Sequence, residues 1–81
     1  MSHIAMERAH LAQAERDIIA GEKRVLRQED LLAQLQAGGL DCVQAEILLR
    51  LFRETLHTWK AHRTQITGMI AKLEGRDLPA G

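Results

Sequence analysis

The chain has one cysteine, two aromatic residues and no excess of either charge, and each shortage removes a class of function. Cys42 alone cannot form a disulfide within the chain and is too little for a zinc ribbon; a lone cysteine suits a reducing cytoplasm. Phe52 and Trp59 are the only aromatics, which argues against an aromatic-lined pocket for a small-molecule substrate and against a base-stacking platform. Eleven basic residues balance eleven acidic ones, whereas a binder of nucleic acid or of an anionic membrane carries a basic patch or stripe. No apolar run approaches the ~18 residues of a membrane span, and the short, charged N-terminus lacks a signal-peptide core. Gly-rich phosphate loops, nucleophile elbows and paired-cysteine motifs are missing too. The expectation is a cytoplasmic protein that is not an enzyme and carries no cofactor.

What the chain does have is apolar periodicity. Ile4, Leu11, Ile18, Val25 and Leu32 recur every seven residues. Past Gly38-Gly39 a second ladder runs Ala45, Phe52, Trp59, Ile66, Leu73, which we read as interleaved with Leu48, Thr55, His62 and Met69. Such spacing specifies two long helices packed along one seam. Folding the chain back on itself about residue 40 pairs Leu32 with Leu48, Gln28 with Phe52, Gly21 with Trp59 and Ile18 with His62. In that register large residues mostly meet small ones, which keeps a two-helix seam even. The Gly21–Trp59 layer gives a reason for a mid-helix glycine that costs about 1 kcal/mol relative to alanine.

The fold class is therefore all-α: an antiparallel two-helix hairpin, coiled-coil-like, in one domain spanning residues 1–81. The first helix is expected over 5–37 with Ser2 as a possible cap, a loop over 38–40, the second helix over 41–74, and a frayed tail over 75–81. Gly38 is placed to take the left-handed C-terminal position. Asp41 reads as the cap of the second helix, with Gln44 completing a capping box, and Gly75 as its stop. A hairpin of this size obtains no more than roughly 3–5 kcal/mol from one core without a staple.

A second apolar surface remains after the hairpin closes. Ala5, Ala12, Ile19, Leu26 and Ala33 form one column on the first helix; Leu49, Leu56 and Ile70 form another on the second, on the same flank. Leu31 and Leu51 face each other on the opposite flank, near the loop. An exposed stripe of that length needs a cover. Pairing of two hairpins into a dimeric four-helix bundle supplies it, with Ala12, Ile19, Leu26, Ala33, Leu49, Leu56 and Ile70 as the dimer interface. The partner is then a second copy or another helical protein.

Candidate chemistry is sparse. Glu54-Thr55-Leu56-His57 matches the Glu-x-x-His step of di-iron bundles, but in this register both ligands point to water, and bundle metal sites need inward-facing ones. Glu15, Glu22 and Glu29 recur every seven residues beside the seam. They are expected to pair with basic residues: Glu15 with Arg63 across the hairpin, Glu22 and Glu29 with Arg53 and Lys60 of a partner. The alternative is a divalent-metal site built from Glu15, Glu22, Glu29 and His62. His62 in the seam reads as a polar layer that fixes register, and Thr55 as one satisfied by its own helix backbone. Phosphotransfer on His10 or His57 is a third possibility, although neither has a recognisable flanking motif. Cys42, at the first turn of the second helix, reads as a small loop residue with no base beside it.

The segments AERDIIAGEKRVLRQEDLLAQL and GLDCVQAEILLRLFRETL, followed by His62-Arg63, resemble a group of short bacterial helical-hairpin proteins of unassigned function. The resemblance is carried by Gly21-Glu22, Arg24, Arg27-Gln28, Gly39, Asp41, Ala45, Leu48-Leu49, Phe52, Thr55-Leu56 and His62-Arg63. It covers most of the chain outside the termini. It implies the hairpin fold and no particular activity. The function expected is a non-enzymatic protein–protein interaction module, a small adaptor or regulator.

Overall fold

The computed structural model of the chain describes residues 3–77, with side chains through residue 75. These residues form α1 (His3–Ala37) and α2 (Val43–Asp77), and no strand occurs among them. The helices pack antiparallel, since Arg8 near the start of α1 meets Glu74 near the end of α2, while Glu29 meets Arg53 closer to the turn. Each helix has 35 residues, and the hairpin measures 64 × 22 × 15 Å. Ala, Leu, Glu, Gln and Arg fill both helices, residues that lose little freedom in helical backbone. The expected Ser2 cap and tail residues 78–81 lie outside the described residues. Helix α2 runs through Gly75 to Asp77, so Gly75 is not a stop: a glycine weakens a helical turn without forbidding it.

The turn corrects one sequence expectation. Gly39, not Gly38, takes the left-handed conformation, with φ of 66°. The Leu40 amide donates to the Leu35 carbonyl at 2.9 Å and the Gly39 amide to the Gln36 carbonyl at 3.1 Å. This Schellman pair satisfies carbonyls that the end of α1 would otherwise leave open. At the entry to α2, the Asp41 carboxylate accepts from the Val43 amide at 3.0 Å, so the cap forms as expected. Gln44 makes no bond back to Asp41, and only half of the capping box is built.

Along the seam, α1 follows its sequence pattern: Ala14, Ile18, Gly21 and Gln28 are buried, and Leu11, Val25 and Leu32 half-buried. Helix α2 departs from it. Its first column, Ala45, Phe52, Trp59, Ile66 and Leu73, does turn inward. The second inward column is Leu49, Leu56, Arg63 and Ile70, whereas Leu48, Thr55, His62 and Met69 are exposed. Leu49 is only 6 % exposed, and Leu56 Cδ1 stands over Gly21. Gly21 thus meets Leu56 rather than Trp59, a shift of three residues in register. The same antiparallel register carries Ile18 towards Trp59 and Ala14 towards Arg63.

One polar side chain is buried in the seam. Gln28 is 8 % exposed and donates from Nε2 to the Ala45 carbonyl at 3.1 Å. A buried amide with a partner on the opposite helix ties one layer of α1 to one layer of α2.

Candidate interaction surface

The register shift redistributes the residues expected at a dimer interface. Leu49 and Leu56 lie in the seam of the hairpin, and Ile70 is half-buried in the same column. They pack against α1 instead of forming an outer flank, because the apolar column of α2 that pairs with α1 contains them. The α1 half of that interface stays outside: Ala12 and Ala33 are exposed, as are Ile19 and Leu26 at 54 % and 62 %.

The carboxylate stripe separates from His62. Glu29 accepts from Arg53 Nη2 at 3.1 Å within the same chain, so the pair expected across a dimer forms inside the hairpin. Glu15 and Glu22 are exposed. His62 lies along the other edge of the seam, where it helps line a cleft of about 160 Å³ with His10, Gln13, Asp17 and Trp59. Its ring meets the Trp59 indole edge-on, centroids 6.1 Å apart. Among the described residues no group of three His, Cys, Asp or Glu side chains is placed to hold a metal ion.

Glu54 and His57 are exposed and lie on an open groove of about 810 Å³ that also has Glu46, Arg50 and Arg53 on its walls. The Thr55 hydroxyl donates to the Leu51 carbonyl at 3.0 Å, satisfied by its own helix as expected but on the surface rather than in the seam. The Cys42 thiol donates to the Leu40 carbonyl at 3.3 Å in the turn.

Two features escaped the sequence reading. The Arg24 guanidinium lies 5.8 Å from the centroid of the Phe52 ring, a cation–π contact across the hairpin. The other is the extent of an apolar closed end, of which the sequence reading had only Leu31 and Leu51. Leu31, Leu40, Val43, Ile47, Leu48 and Leu51 are all exposed by 42–62 %. Val43, Ile47 and Leu51 follow one another every four residues, which sets them in a stripe on the side of α2 turned away from α1. The i, i+4, i+8 spacing was the available signal, masked by the apolar residues that face α1 along the same stretch.

No helix among the described residues is long and apolar enough to cross a membrane. Comparison with protein-family models, with curated proteins and with solved structures gives no match for this chain.

Proposed function

We propose that this protein is a non-enzymatic interaction module, a small adaptor or regulator that works by covering its exposed apolar surfaces with another helical surface. The cover is a second copy, giving a dimeric four-helix bundle, or another helical protein. One observation carries the reading: the large apolar side chains left outside outnumber those buried inside. Ile18, Leu49 and Ile66 are the large members of the core, while Ile19, Leu26, Leu31, Leu40, Val43, Ile47, Leu48 and Leu51 stay exposed. A two-helix interior this thin gives marginal stability alone, and exposed apolar surface of this extent marks contact sites. The lone cysteine and balanced charge fit work in the cytoplasm, in keeping with the resemblance to short bacterial helical-hairpin proteins.

Sedimentation velocity on the purified chain, with affinity capture from its host followed by mass spectrometry, tests the reading. A self-associated species, or a stoichiometric helical partner lost on Ile19→Lys with Leu26→Lys, is the expected result. A stable monomer at micromolar concentration that retains no partner would overturn it.

A further inference from the structure

We infer that two copies of this chain meet at their closed ends, the first turns of α2 lying antiparallel against each other about a two-fold axis at Ile47. The inference rests on the self-association proposed above, and sets it at the closed ends in place of a full-length four-helix bundle. Between residues 43 and 52, α2 is apolar on two opposite faces: Ala45, Leu49 and Phe52 face α1, while Val43, Ile47 and Leu51 face away, with Gln44, Glu46 and Arg50 on the edges between them. A helix with two opposite apolar faces has a partner to find for each, and the hairpin supplies only one.

Three observations favour a second copy as the occupant. The first is area. The six exposed apolar residues of the closed end present on the order of 500 Å² per copy, so a symmetric contact that covers all of them buries at most about 1,000 Å², the lower bound for a specific interface. The second is shape. Placing Ile47 on the axis sets Val43 of each copy against Leu51 of the other, so the stripe is complementary to itself, as an isologous contact requires. The third is charge. Glu46 and Arg50 lie one turn apart on the same edge of the stripe, and neither makes an ion pair with another described residue. The two-fold brings Glu46 of one copy beside Arg50 of the other, twice over. With eleven charges of each sign, the chains carry no net repulsion.

Spin labels placed at two sites in a Cys42→Ser background test the arrangement. Gln36→Cys marks the closed end and Lys72→Cys the open end. Closed-end overlap predicts a Gln36→Cys distance well short of the 64 Å hairpin length and no measurable Lys72→Cys distance. A full-length parallel bundle gives short distances at both sites, and a full-length antiparallel bundle gives long ones at both; either result overturns the inference while the self-association stands. A parent chain that sediments as a monomer removes both. Ile47→Glu, on an exposed face of the hairpin, should abolish the dimer with helix content by circular dichroism unchanged, whereas Ile19→Glu should leave it intact; the reverse pattern overturns the inference. Glu46→Arg and Arg50→Glu should each weaken association at least tenfold, and the swapped double variant should restore it. A double variant no better than either single one refutes the antiparallel pairing.

Discussion

Gly21 and Leu56 stand so close across the seam that a Cβ on residue 21 would lie 3.2 Å from Leu56 Cδ1. The near atom is the end of a flexible side chain, so a methyl group can be accommodated by a small shift of Leu56, while anything larger cannot. Gly21→Ala should therefore be neutral or stabilising by up to about 1 kcal/mol through helix propensity. Gly21→Leu should destabilise by about 1–3 kcal/mol through overpacking. Leu56→Ala in the same chain should recover part of that loss in urea unfolding, and Trp59→Ala should not. Rescue by Trp59→Ala alone would restore the register expected from the sequence.

The two loop glycines should behave oppositely. Gly39→Ala puts a side chain into the left-handed region and should cost about 1–2 kcal/mol. At Gly38 an added Cβ would meet the Gln34 carbonyl oxygen at 3.5 Å, an ordinary contact, and Gly38→Ala should leave the melting temperature unchanged or raised. Equal losses at both positions would contradict the turn geometry.

Gln28 separates packing from hydrogen bonding. Its acceptor, the Ala45 carbonyl, also belongs to the backbone ladder of α2, so removing the amide strands no buried acceptor. Gln28→Met, similar in shape, should change stability by less than about 1 kcal/mol. Gln28→Ala loses the bond and leaves a gap, and should cost about 2 kcal/mol or more. Denaturant titration of the two variants decides it; equal penalties would assign the role to the hydrogen bond alone.

The Glu29–Arg53 pair has side chains 43 % and 57 % exposed, so solvent screens it. Glu29→Gln should cost no more than about 1 kcal/mol, with the difference vanishing at high salt. Adding Glu22→Gln should change little further. With His62 on the other edge of the seam, zinc, manganese and iron should leave the melting temperature of parent and double variant alike. A stoichiometric upward shift in the parent, lost in the double variant, would reopen the metal-site alternative.

The hairpin, the α1 seam, the Asp41 cap and the inward column from Ala45 to Leu73 were legible because each follows one repeating spacing. The second column of α2 was not, for a physical reason. After Ala45 the next inward residue is three or four positions on, and Leu48 and Leu49 fit both choices. Arg63 made the correct column look broken, because a charge reads as surface. The residue is half-buried, and the long apolar stem of an arginine can line a seam while the guanidinium stays in water. The error displaced every facing pair, turned Leu49 and Leu56 from flank to core, and hid the outward stripe from Val43 to Leu51. The Gly38–Gly39 ambiguity has a smaller cause: adjacent glycines offer the same conformational freedom, and the Leu35 and Gln36 carbonyls decide between them.

At 64 Å long and 15 Å thin, the hairpin has layers that touch only the layers above and below. Glu29 and Arg53 close 24 residues of chain, whereas Arg8 and Glu74 close 66. Such a rod opens like a zipper. Fraying at the end far from Gly39 releases residues a layer at a time without disturbing those beside the turn, and the backbone amides record it as a gradient. Exchange with deuterium should be fastest around Ile4 and Leu73 and slowest in the helical layers around Gln28 and Phe52, so that position along the rod sets the lifetime of each helical hydrogen bond.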